Sequence, residues 1–145
     1  MVGAMKTRRV WAVRLAILLA AITGPAWAQQ VSPAPKEATE PIIRQLEAFR
    51  QGNFDAAYAF ASADIQAEFD RPAFEQMVKG GYPEIAQSAF ASIVSSTLGP
   101  DGHAYVAVKV RGTNGKSIEA YYDLVLESGQ WKINGVASRP DPGLV

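Results

Sequence analysis

Apolar positions recur at three- and four-residue spacing from Ile42 to about Val78 and then alternate from about Ser88 onward. Ile42, Ile43, Leu46 and Phe49 form one stripe, with Arg44, Glu47 and Arg50 turned away from it. That is the signature of an amphipathic helix. Thr39-Glu40-Pro41 opens this helix, since threonine can cap and proline is tolerated in the first turn, and Gly52 stops it. Asn53 is placed to cap a second helix whose buried stripe is Phe54, Ala57, Tyr58 and Ala61. Ser62 stops and restarts the chain into a short segment with Ile65 and Phe69. Asp70-Arg71-Pro72 begins a further helix carrying Phe74, Met77 and Val78, which ends at Gly80-Gly81. Tyr82-Pro83 starts an extended exit, because the residue before proline avoids the helical region.

The alternating half predicts four strands, over about 88–97, 103–112, 117–127 and 130–139. A three-residue loop, Thr113-Asn114-Gly115, sets Val110 beside Ile118, Val108 beside Ala120, Val106 beside Tyr122 and Lys109 beside Glu119. A two-residue turn would slip the pairing by one and mix charged with apolar residues on both faces, so the pleat selects the longer loop with Gly115 at positive φ. A two-residue turn at Ser128-Gly129 pairs Leu126 with Trp131, Leu124 with Ile133 and Tyr122 with Gly135. The inner face then holds Val106, Val108, Val110, Ile118, Ala120, Tyr122, Leu124, Leu126, Trp131 and Ile133. Glu119 and Asp123 point outward. Strand 88–97 has no clear phase, because Phe90, Val94 and Leu98 compete with Ile93, so its partner stays open. Helices first and an antiparallel meander afterwards predict an α+β fold, the N-terminal helices packed in a strongly curved, cone-like sheet of about four strands.

The first twenty-eight residues have a different character. Lys6, Arg8, Arg9 and Arg14 precede the apolar run Leu15–Ile22, then Gly24-Pro25, then Ala26-Trp27-Ala28. This reads as a signal peptide cut after Ala28, which places the working protein in the periplasm or outside the cell, with no membrane attachment after cleavage. Residues 29–38, with Ser32-Pro33-Ala34-Pro35, read as a flexible tether; residues 39–139 form one domain and 140–145 a tail. Removing the leader leaves ten basic against fourteen acidic residues, a formal charge of −4. Such a domain has no footprint for nucleic acid. There is no cysteine, which excludes thiolate metal sites and thiol chemistry, and the single histidine excludes multi-histidine metal sites. No cofactor and no metal are expected.

The stretch Gly129-Gln130-Trp131-Lys132-Ile133-Asn134-Gly135-Val136 resembles the last strand of the nuclear transport factor 2-like, or cystatin-like, superfamily. The segment from Ala48 to Ser62, with Phe74-Glu75-Gln76-Met77-Val78 and Tyr82-Pro83, is similar to a bacterial exported family catalogued as domain of unknown function 4864. The resemblance spans about residues 40–139. It implies a cone of curved sheet around helices. It implies no activity, because the superfamily hosts isomerases, cyclases, dehydratases, ligand carriers and dimerisation modules alike. Superfamily enzymes carry an aspartate, or an aspartate and a histidine, inside the cone, and on the register above no acid of the two well-phased hairpins faces inward.

His103 follows the turn Gly99-Pro100-Asp101-Gly102 and reads as solvent-exposed, with Asp101 its only acidic neighbour in sequence. Asp64, Glu68, Asp70 and Glu75 match no calcium loop and read as caps and solvated faces. No catalytic residue is assigned. Tyr58, Phe74, Met77, Tyr82, Tyr122 and Trp131 either fill the core or line a pocket for a small apolar ligand. Tyr105, Tyr121, Val125 and Val136 form an apolar strip on the outer sheet face, the expected interface of a homodimer. The expectation is therefore an exported, non-catalytic binding or interaction module. The alternatives are an isomerase or dehydratase using a tyrosine or His103, or a carrier of a small apolar ligand.

Overall fold

The computed structural model describes residues 32–143. The leader and its cleavage site lie outside these residues. Five helices precede four long strands: α1 (Glu40–Arg50), α2 (Phe54–Ala59), α3 (Ala63–Glu68), α4 (Arg71–Gly81), α5 (Pro83–Ala86), then β2 (Ser88–Leu98), β3 (Ala104–Gly112), β4 (Ser117–Glu127) and β5 (Gln130–Pro140). A two-residue strand, β1 (Ser32–Pro33), pairs with Leu98 and Thr97 of β2, and Lys36–Ala38 forms a 3-10 turn whose Ala38 is fully buried. These residues therefore belong to the folded body and not to a free tether. The sheet is antiparallel throughout, in the order β1-β2-β3-β4-β5.

Local chemistry accounts for the helix boundaries. Asn53, Ser62 and Asp70 each accept a hydrogen bond from a backbone N–H of the following turn, capping α2, α3 and α4. Thr39 does not cap α1; its hydroxyl bonds the Lys36 carbonyl instead. α4 runs through Gly80 and Gly81 to its end. Tyr82-Pro83 does not lead straight into a strand, because Pro83 opens the short α5, a first-turn position where a missing N–H costs nothing.

The β3–β4 hairpin has the expected register, with Val106 opposite Tyr122, Val108 opposite Ala120, Val110 opposite Ile118 and Lys109 opposite Glu119. Gly115 has φ +80°. In the β4–β5 hairpin, Leu126 faces Trp131 and Leu124 faces Ile133 as expected. Ser128 and Gly129 both have positive φ, 50° and 79°, the mirror-image turn that suits a two-residue loop. Beyond Ile133 a β-bulge at Asn134 shifts the pairing by one. Asp123 then faces Gly135 and Tyr122 faces Val136, not Gly135. One extra residue turns the rest of the strand over, so Val136 lies in the core at 2% exposure and not on the outer strip. Leu126 is also displaced from expectation. It sits near the hairpin tip, opposite Trp131, and is 56% exposed.

β2 pairs with β3, interrupted by irregularities between Ser88 and Phe90 and between Ile93 and Ser95. Two such breaks within one strand explain why no single phase describes it. The core lies between the inner sheet face and the helices: Ile42, Leu46, Phe74, Val106, Val108, Val110, Tyr122, Leu124 and Ile133 are all at most 1% exposed. On the far side of β5, Phe60–Ser62 cover the edge, with Ile133 donating to the Phe60 carbonyl and accepting from the Ser62 N–H. Among the described residues no helix is long and apolar enough to cross a membrane.

Candidate functional site

The interior of the cone is filled. The cavity between Gln45, Phe49, Val78, Tyr82, Ile85, Tyr122 and Val136 measures about 10 Å³, room for one water molecule at most. The aromatic residues singled out from the sequence are spread through this packing. Phe74 is fully buried, with Tyr58 edge-on at 5.2 Å between ring centroids. The Tyr58 hydroxyl donates to the Phe69 carbonyl at 2.6 Å, and the Tyr82 hydroxyl to the Val136 carbonyl at 3.1 Å. Met77 is half-buried against the core. Trp131 borders a separate shallow hollow with Phe60 and Pro41 at the β5 edge. Tyr82 and Tyr122 alone of the six meet around the small cavity. Tyr122 is wholly buried and its hydroxyl has no hydrogen-bond partner among the described residues; burial pushes its phenol up from the ordinary value.

A groove of about 760 Å³ lies at the end of the cone where α1 stops and β2 starts. Its apolar lining comes from Phe49, Phe54, Pro83 and Ala86. Phe49 and Phe54 pack together at 5.3 Å between centroids and form the floor. Gln87, Ser88 and Thr113 supply hydrogen-bonding groups, and Arg50 and Lys79 supply positive charge. The Arg50 Nε donates to both the carbonyl and the Oγ of Ser88, each at 3.0 Å. The Lys79 Nζ lies 4.9 Å from the Phe54 ring centroid, within cation–π range, and 2.7 Å from Glu75. Lys79 and then Arg71, at 2.9 Å on its other oxygen, hold the Glu75 carboxyl below the usual glutamate range. The sequence pattern placed Phe49 and Phe54 on buried stripes. What it could not show is that four helices, α1, α2, α4 and α5, and the β3–β4 loop leave a gap there.

A second cluster lies on the outer sheet face at the opposite end of the strands. Asp123 belongs to the outward phase, yet it is 3% exposed. Its Oδ1 is 2.7 Å from His103 Nδ1. Its Oδ2 accepts from Asn134 Nδ2 at 3.2 Å, and Asn134 Oδ1 accepts from the Ser62 hydroxyl at 2.8 Å. Ser62 in turn caps α3. The bulge that displaces Val136 is what carries Asn134 into this chain of contacts. The His103 ring is stacked on Tyr105 at 6.1 Å, and the Tyr105 hydroxyl donates to Asp101. Burial, and then the bond to Asp101, push the Tyr105 phenol well above its ordinary value. Burial acts to raise the Asp101 carboxyl, but the Tyr105 O–H and the His103 backbone N–H outweigh it and hold the group low. His103 is thus paired, and through Asp123, not Asp101. The signal was in the hairpin register: Tyr105 opposite Asp123 puts His103 two residues along the same face.

Tyr105, Tyr121 and Val125 occupy the outer face, partly exposed. Between the two tyrosines lies a shallow hollow of about 340 Å³ floored by Ser95 and Ala107. The Tyr121 hydroxyl donates to Glu119, which also pairs with Arg139 at 2.8 Å. Among the described residues no group of three or more histidine, aspartate or glutamate side chains is placed to hold a metal ion.

The family model described as a domain of unknown function (DUF4864) matches residues 32–144. No curated protein matches the chain. An NTF-2-like protein of unknown function from Silicibacter pomeroyi DSS-3 is 17% identical, with 72% of this chain and 93% of that one covered, at a TM-score of 0.49. An NTF2-like protein of unknown function from Shewanella baltica OS155 is 12% identical over the same shares, 72% and 93%, at a TM-score of 0.48.

Proposed function

Because the chain belongs to the family of domain of unknown function 4864, a description that assigns no role, we propose its role from geometry: a non-catalytic binding module whose site is the groove at the end of the cone. The observation that carries this reading is the contrast between two spaces. The interior holds about 10 Å³, whereas the groove offers about 760 Å³, within the range of small-molecule sites. Its floor of packed phenylalanines and its few convergent polar groups have the composition such sites share. On this reading the ligand sits at the rim and not among Tyr58, Phe74, Met77, Tyr82, Tyr122 and Trp131. The test is a fragment screen read by amide chemical shifts of the purified protein. Shifts should cluster over Phe49–Phe54, Lys79–Ser88 and Thr113. Shifts confined to the outer sheet face, or none from any fragment, would end the proposal.

A second reading, acid–base catalysis, is favoured by one observation, the His103–Asp123 pair. A buried carboxylate on Nδ1 fixes the imidazole and leaves Nε2 to take a proton from a substrate or water. Hydrolysis of p-nitrophenyl acetate, compared between the unsubstituted protein and His103→Gln, tests it. Equal rates would retire His103 as a base.

A further inference from the structure

We propose that the groove selects an amphipathic anion, a single carboxylate or similar head group on an apolar body, with Arg50 as its charge partner. This rests on the groove being the binding site and adds the chemistry of what it takes. Arg50 stands at the end of α1 and makes no salt bridge with any described residue; its only hydrogen bonds run from Nε to Ser88. Ser88 is 2% exposed, so these two bonds orient the guanidinium against a fixed point. Both terminal nitrogens stay uncommitted, and the guanidinium fork matches a carboxylate in bidentate fashion.

The rest of the lining agrees. Lys79 adds a second cation, partly offset by Glu75 beneath it. No carboxylate is among the described residues that line the groove, and Glu75, beneath Lys79, is already paired with both Lys79 and Arg71. Phe49 and Phe54 are 4% and 8% exposed, so the exposed Pro83 beside them adds to the apolar surface that an alkyl or aryl body can cover. A neutral apolar molecule would use the floor but leave Arg50 facing it without a partner. A small inorganic anion would meet Arg50 but leave the floor wet. Only a molecule with both parts uses the whole site.

The experiment is displacement of 8-anilinonaphthalene-1-sulfonate from the purified protein by octanoate and by octanol, which differ in charge and share an apolar body. Octanoate should displace the dye at a concentration about tenfold lower than octanol, the worth of one charge-assisted hydrogen bond. That ratio should fall toward one in Arg50→Gln and shrink in Lys79→Gln. Since loss of the Ser88 contact could weaken the fold in Arg50→Gln, the exposed Lys79 provides the independent variant, and the ratio within each variant cancels any general loss of binding. Equal displacement by octanol and octanoate would overturn the anion assignment and leave the groove as an apolar site. Failure of the dye and of both competitors to bind would overturn the groove itself.

Discussion

Replacing Asp123 by alanine removes the hub of a buried polar chain, and the cost can be worked bond by bond. Its side chain is 4% exposed and contacts His103 Nδ1 at 2.7 Å and Asn134 Nδ2 at 3.2 Å. Hydrogen bonds to a charged group contribute about 1.5–3 kcal/mol each. The two donors then fare differently. The His103 side chain is 31% exposed, so its Nδ1 regains water and its loss counts at the low end. Asn134 is 3% exposed, so water does not readily replace the bond it loses to Asp123 and that loss counts at the upper end. Losing a desolvated carboxylate works in the opposite sense, so the net sits at the lower end of the range for breaking a buried pair, about 3 kcal/mol. With a urea slope near the bottom of the usual range for small domains, the midpoint falls by about 2 M at unchanged slope. His103→Ala and the double variant complete a cycle. The singles should not add, with a coupling of about 1–2 kcal/mol. A loss below about 1 kcal/mol for Asp123→Ala, or additive singles, would refute the view that this pair anchors the bulge.

Three further outcomes are expected. Ser128 holds φ 50° without being glycine; Ser128→Asn, a residue that tolerates this region, should gain about 0.5 kcal/mol and raise Tm by about 2–3 °C, and an unchanged or lower Tm would deny the strain. Stability should fall at both pH extremes, as followed by circular dichroism. Glu75 and Glu119, held low by Lys79 with Arg71 and by Tyr121 with Arg139, contribute stability that is complete above the unfolded carboxylate pKa of about 4.3 and is lost as pH falls through their lower folded values. Tyr105 and Tyr122, raised chiefly by burial, and Tyr121, raised chiefly by Glu119, contribute stability complete below the unfolded phenol pKa of about 10 and lost as pH climbs through their higher folded values, so tyrosinate absorbance should appear together with unfolding. If the outer-face hollow between Tyr105 and Tyr121 seats a second copy, equilibrium sedimentation will report a dimer that Ala107→Glu converts to monomer; a concentration-independent monomer mass for the unsubstituted protein removes that interface.

The main helices and strands, most of the helix stripes and both hairpin turns were legible in the chain because each rests on local rules; Ile43, counted in the first stripe, is 51% exposed, and α5 and β1 were not foreseen. A cap bonds an amide three residues on, and a pleat repeats every two residues. Hence Asn53 and Asp70 cap as their types imply, and Val108 meets Ala120. The family resemblance was legible for the same reason, since it rests on contiguous motifs. The groove, the bulge and the His103–Asp123 pair were not. A bulge is one unpaired residue, set by Asn134 reaching both Asp123 and Ser62, contacts that span 11 and 72 residues of sequence. The burial of Asp123 beneath Asn134 and the inward turn of Val136 follow from that single displacement, while the partner of His103 follows from the β3–β4 register. The gap above Phe49 and Phe54 likewise depends on where α4, α5 and the β3–β4 loop come to rest. Sequence by itself determined the main helices and strands and most of the faces they hide, because short-range sterics and hydrophobic burial act on neighbours along the chain; the sites came from distances between segments, which only their packing decides.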